Sequence, residues 1–145
     1  MKVYFDTSVL VAAVVEDHPQ HGPASDVLLA ARGKRSRGFI SAHSLAEFYS
    51  VLTRTPFEPR IHPSEAWQML EQDILAYVDV TALTAVEYRQ VIRECVGKGW
   101  TGGVVYDALH MRCAQKAGCE RLYTLNLRDF RLLAPEGFRE RVCSP

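Results

Sequence analysis

Short apolar runs of extended type alternate with helical stretches along the whole chain, and this alternation limits its possible folds more than any other feature. K-V-Y-F-D opens the sequence as a β-type run ending in an acid. Thr7 and Ser8, both good helix caps, follow it, and an apolar helical stretch continues through Val15. A strand that feeds straight into a helix is the first half of a βα unit. His18 to Pro23 reads as a break, and Ala24 to Ala31 as a helix. Phe39 and Ile40 form a second strand, and S-A-H-S-L-A-E-F-Y-S-V-L-T-R a helix closed by Pro56. Pro63, Ser64 and Glu65 open another helix through about Leu75, as helix starts tolerate proline. Tyr77 to Val80 is a third strand, and Thr84 caps a helix to about Val96. The hinge G-K-G-W-T-G-G then leads into a helix from Val105 to Ala117. Leu122 to Thr124 is a fourth strand, with Arg141 to Cys143 a possible fifth. The predicted fold is a single α/β domain over residues 1–145: a three-layer α/β/α sandwich with a central, mostly parallel sheet of about four to five strands.

Composition narrows the function classes. The 145 residues suffice for one domain with a real core, and 48% apolar with 23% charged residues speaks against disorder. Lys plus Arg equals Asp plus Glu at 17 each, which argues against a wide basic surface gripping long nucleic acid but leaves a compact nuclease open. Cys95, Cys113, Cys119 and Cys143 form no C-x-x-C pair, so free thiols are expected rather than a zinc site. The longest apolar stretch, Val9 to Val15, falls far short of the ~20 residues that span a bilayer, and Asp6 interrupts any signal-peptide core. A cytoplasmic protein without membrane contact is expected.

Three acids stand where such a fold would use them. Ligands of open α/β sheets bind beyond the carboxyl ends of the strands, and Asp6 ends the first strand. Asp107 opens the helix after the glycine hinge with Met111 and Ala114 at i+4 and i+7, so an acid heads an inward-facing apolar stripe. Glu47 shares a helix face with His43, Ser50 and Arg54, opposite Leu45, Phe48 and Leu52. Each acid taken singly also has a structural explanation: Asp6 as a helix cap, Asp107 at a helix N-terminus, Glu47 on a solvated face.

In combination, four segments resemble, in order, the signatures of PIN-domain ribonucleases, and within them the VapC-like toxins of type II toxin–antitoxin systems. These are V-Y-F-D-T-S-V-L, S-A-H-S-L-A-E-F-Y-S-V-L, G-G-V-V-Y-D-A-L-H and L-Y-T-L-N-L-R-D-F, running from the first strand almost to the C-terminus. The resemblance implies a PIN-like fold and hydrolysis of RNA phosphodiester bonds with Mg²⁺, or Mn²⁺, as cofactor. It assigns Asp6 and Asp107 as metal ligands, with Glu47 binding metal through water or orienting the attacking water. Thr7, ahead of Ser8, would hydrogen-bond the Asp6 carboxylate or a metal-bound water. One departure matters: Asn126 occupies a position where many relatives carry an acid, and it offers an oxygen without charge. Asn126 is expected at the site rim, with Asp129 as the secondary candidate for the missing carboxylate. A hard carboxylate cluster without cysteine suits Mg²⁺ or Mn²⁺ better than zinc.

For RNA contact, Arg128 and Arg131 are the preferred phosphate partners. The run R-G-K-R-S-R from Arg32 to Arg37 reads either as a phosphate patch or as a solvated turn. Trp100 and Tyr106 flank the hinge and read either as rings that stack on a base or as core, with core packing the favoured reading for Tyr106. The resemblance further implies a homodimer and a small VapB-like antitoxin partner. The segment Glu65 to Leu75, with Trp67, Leu70 and Ile74 on one face, is a groove wall for a partner helix or ordinary core. The competing readings are a PIN-fold nucleic-acid-binding module weakened in catalysis by Asn126, and a housekeeping RNA-processing nuclease. A flavodoxin-like phospho-acceptor is disfavoured, because paired early acids and a late strand-end lysine are missing.

Overall fold

The computed structural model describes residues 1–145 and contains five strands. They are β1 (Lys2–Phe5), β2 (Arg37–Ser41), β3 (Val78–Thr81), β4 (Arg121–Tyr123) and β5 (Val142–Cys143), hydrogen-bonded in the order β3-β2-β1-β4-β5. Every pairing is parallel, with Tyr4 opposite Phe39 on one side and Leu122 on the other. The mostly parallel sheet read from the sequence is thus wholly parallel, and each crossover carries a helix.

Period-two alternation sorts the side chains into the two faces. Val3, Phe5 and Ile40 join one core with α1 (Thr7–Val14), α2 (His21–Arg32), α3 (Ala42–Arg54) and α4 (Pro63–Gln68). Tyr4, Phe39, Leu122 and Val142 join the opposite core with α6 (Val104–Lys116) and α7 (Leu127–Leu133). Helix α5 (Ala85–Lys98) packs on α6 through Val91 and Cys95. Three layers result, as the alternation predicts.

Local chemistry accounts for the element boundaries. Thr84 and Glu87 form a reciprocal capping box at the start of α5, and Gly99, at φ +67°, ends it in the left-handed region. Helix α2 begins at His21 instead of Ala24. Pro23 lies in its first turn, where its missing N–H would have had no partner. Helix α4 starts with Pro63 and widens into a π-helical segment, Met69–Leu75. Helix α7, absent from the sequence reading, is only seven residues long and has no side-chain cap, so little in its sequence announces it. Gly38 sits where β1, β3 and α2 crowd β2: a Cβ there would lie 2.9 Å from both Phe5 and Val78. No helix is long and apolar enough to cross a membrane.

Candidate active site

The strand order places β2 on one side of β1 and β4 on the other, so the chain winds in opposite directions from the centre of the sheet. The crevice beyond the carboxyl ends of β1 and β4 is therefore the topological switch point. A cleft of about 240 Å³ lies there, lined by Asp6, Thr7 and Ser8 after β1, Glu47 on α3, Asp107 and His110 on α6, and Asn126 after β4. Val11, Val51 and Phe130 complete its wall.

Asp6 is buried and held on every side. Its Oδ1 accepts from Ser8 Oγ at 2.6 Å and from the Val9 N–H at 3.1 Å, capping α1. Its Oδ2 accepts from Thr124 Oγ1 at 2.6 Å. Ser8 Oγ in turn accepts from the Leu125 N–H, and Thr124 Oγ1 from the Asn126 N–H, which ties the β4 loop to the start of α1. Burial pushes the Asp6 carboxyl above its ordinary range, opposed by the His110 charge and by these hydrogen bonds.

Glu47 is gripped at one oxygen. Its Oε1 accepts from Thr7 Oγ1 at 3.0 Å and from His110 Nε2 at 2.7 Å. His43 Nε2 also lies 3.3 Å from that oxygen, but outside hydrogen-bonding geometry, and is left buried without a partner. His43 is therefore a neighbouring ring and not a donor to Glu47. Partial burial pushes Glu47 upward, but the His110 hydrogen bond and charge, with the His43 charge and the Thr7 hydrogen bond, together hold the carboxyl below its ordinary range. His110 is 3% exposed, and its Nδ1 lies 2.7 Å from the Tyr4 hydroxyl. An ionised Glu47 accepts only, so His110 Nε2 carries the hydrogen. In neutral His110, Nδ1 then accepts from Tyr4 O–H. Both ring nitrogens are thereby occupied.

Asp107 differs from the other two acids, because no protein group donates to it. Burial, with the charges of Asp6, Asp129 and Glu47, raises its carboxyl from an ordinary 3.8 to about 6, against the opposing pull of His110. That is the behaviour of carboxylates gathered without a counter-charge. No three acids, histidines or cysteines are arranged to chelate an ion as they stand.

A model described as the PIN domain matches residues 3–134. The chain belongs to the PIN-domain family. Ribonuclease VapC40 of Mycobacterium tuberculosis is 37% identical to it over 124 residues, which cover 85% of each chain. Two solved structures share the fold at 19% identity. VapC20 of M. tuberculosis, described as a sarcin–ricin loop cleaving toxin, has a TM-score of 0.68 and covers 92% of this chain and 97% of its own. VapBC2 of Rickettsia felis, bound to a DNA fragment from its promoter, has a TM-score of 0.61, covering 91% and 92%.

In this PIN domain Asp6, Thr7, Glu47, Asp107 and Asn126 come together at the one cleft. Asp129 does not line it; its Oδ2 accepts from Asn126 Nδ2 at 3.0 Å, and only its charge bears on Asp107. Of the two hydroxyls that follow Asp6, Ser8 binds its carboxylate and Thr7 serves Glu47, which corrects the preference for Thr7. A helix start fixes this: Ser8, two residues beyond the cap, falls beside the Asp6 carboxylate. Arg131 donates to the Val142 carbonyl, and neither it nor Arg128 lines the cleft. Trp100 lines a separate hollow of about 330 Å³ beside α5 and α6, with Lys98 over its ring. The Arg32–Arg37 run is partly structural, since Arg32 pairs with Asp73 and Arg37 with Asp79. Leu70 and Ile74 are core, while Trp67 stays exposed. Tyr106, expected in the core, is also exposed. His110 and Thr124 also belong to the site, and no local pattern in the sequence marks either. The spacing of His110, three residues after Asp107, puts it on the same helix face, but its partner Tyr4 is 106 residues away.

Proposed function

We propose that this PIN domain is a metal-dependent endoribonuclease that hydrolyses RNA phosphodiester bonds, and that it is the toxin of a toxin–antitoxin pair. The observation that carries the reading is the meeting of Asp6, Glu47 and Asp107, distant along the chain, at one cleft at the switch point of the sheet. The ribonuclease VapC40, similar over most of both chains, supports it. The fold shared with VapBC2 supports a VapB-like antitoxin partner. Homodimerisation and a cytoplasmic location belong to the same reading, and the free cysteines agree with a reducing compartment.

The donor set fits a hard divalent cation. Its donors are carboxylate and amide oxygens, no cysteine lines the cleft, and both nitrogens of His110 are engaged. Asp6 and Asp107 are the direct ligands in this reading, with Glu47 and Asn126 alongside. Mg²⁺ or Mn²⁺ bound there supplies acidity to a water and offsets charge growing on the phosphate. Glu47, fixed through Oε1, keeps Oε2 to accept a hydrogen bond from the attacking water and orient it. Ser8 and Thr124 hold the Asp6 carboxylate in place, and the Thr7 hydroxyl does the same for Glu47.

Cleavage of a mixed RNA by the purified protein tests this. Activity is expected with Mg²⁺ or Mn²⁺ and none with EDTA, the products carrying 5′ phosphates. Asp6→Asn and Asp107→Asn should each abolish cleavage while leaving a folded protein, and full activity in either would end the assignment. A wild type that binds RNA without cutting it would favour the second reading, a binding module weakened by Asn126 in place of an acid.

A further inference from the structure

The cleft carries acids but no cation. None of its lining residues is Lys or Arg. Several of the cationic side chains are committed elsewhere: Arg32 to Asp73, Arg37 to Asp79, Arg112 to Glu94, Lys116 to Glu87, and Arg131 to a backbone carbonyl. With no cation lining the cleft itself, a polyanion held at these carboxylates gains from an attraction at the rim that does not depend on charge.

An aromatic surface stands at the required place. Tyr106 immediately precedes Asp107 at the start of α6 and is 49% exposed. Its ring lies flat on that of His43, with centroids 5.0 Å apart and planes only 6° from parallel. His43 sits one helical turn before Glu47 and approaches its Oε1 to 3.3 Å. The stack therefore adjoins two of the three site acids. Burial does not explain it, because half of the tyrosine is left in water and its hydroxyl makes no hydrogen bond within the protein. Such a ring, held flat by a second ring, is ready to accept a third. Stacked rings in proteins settle at centroid separations of this size, and every nucleobase offers a π-face.

We propose that the Tyr106–His43 stack is a shelf for one unpaired nucleobase next to the scissile phosphate, the base continuing the stack as its outer ring. The shelf rests on the ribonuclease reading and supplies what the acids cannot, an attraction for RNA that is indifferent to charge. Stacking area makes it tolerant of sequence but favours purines over pyrimidines.

The test uses the full chain with fluorescein-labelled oligoadenylate and oligouridylate, measuring kcat and KM separately in Mn²⁺ and binding by anisotropy in Ca²⁺. Tyr106→Ala and Tyr106→Leu should raise KM for oligoadenylate about tenfold, equivalent to ~1.4 kcal/mol, with the loss on KM and not on kcat. Tyr106→Phe and Tyr106→Trp should restore KM, which a merely space-filling role would not distinguish from Tyr106→Leu. Binding should follow KM. If Tyr106→Leu matches wild type, or if the loss falls on kcat alone, the shelf is wrong while the ribonuclease reading stands. A wild type that neither binds nor cuts either RNA defeats both.

Discussion

Asp6 caps α1 through Val9 and presents a carboxylate to the cleft, so the structural and functional explanations of this acid are the same one. Asp107 has no such second duty, and its charge is a burden on the metal-free fold. Its carboxyl is raised to about 6, so the folded chain holds that proton more tightly than the unfolded chain. Stability therefore falls as pH rises from about 4 through 6, and the loss is complete above that. Asp107→Asn should stabilise the metal-free protein in EDTA at pH 7.5 by roughly 1 kcal/mol, screening by solvent being allowed for, and change little at pH 4. Thermal unfolding at the two pH values checks this. Gly38 sets a different limit. Gly38→Ala should cost roughly 1–3 kcal/mol in denaturant unfolding, because its Cβ would enter the space of Phe5 and Val78.

Elements matter here as carriers of parts that meet only at their ends. Strand β1 brings Tyr4, α6 brings His110, and α3 brings Glu47, and the three form a directed chain of hydrogen bonds out of the core. Helix α1 adds Thr7 on the same carboxylate. Tyr4→Phe keeps the ring but leaves His110 Nδ1 buried and unsatisfied, which should lower stability by about 1–3 kcal/mol. His110→Leu should in addition cut kcat more than it raises KM, because Glu47 loses its shortest support. His110→Gln, which retains an N–H donor, should recover part of kcat. Steady-state kinetics and thermal melts separate the two effects.

For the molecule as a whole, two cores on opposite faces of a five-stranded parallel sheet leave one crevice at the switch point, and the acids fill it. The second core also encloses Cys113 and Cys119, whose thiols burial pushes up to about 12. Neither should react with iodoacetamide at neutral pH in the native state, and both should label on unfolding; mass spectrometry of the labelled peptides checks this.

From the sequence alone came the α/β class, four of the five strands nearly to the residue, and the three acids that meet in the cleft, Asp6, Glu47 and Asp107. Strand and helix periodicities and helix caps are local properties, and family signatures are contiguous text. Tertiary structure decided what depends on partners remote in sequence. Tyr4 and Thr124 acquire roles only because parallel pairing sets β4 beside β1 and helix packing brings His110 beneath Glu47. The same holds for the basic residues: Arg131 looks free in the sequence and is bound to β5 in the fold. Tyr106 reads as an apolar helix residue, and Leu109 and His110, one turn further along on its side of α6, are buried, yet Tyr106 is exposed because it stands in the first turn, at the open end of the helix. Which face of a short helix is buried depends on what packs against it, and that is settled only when the layers assemble.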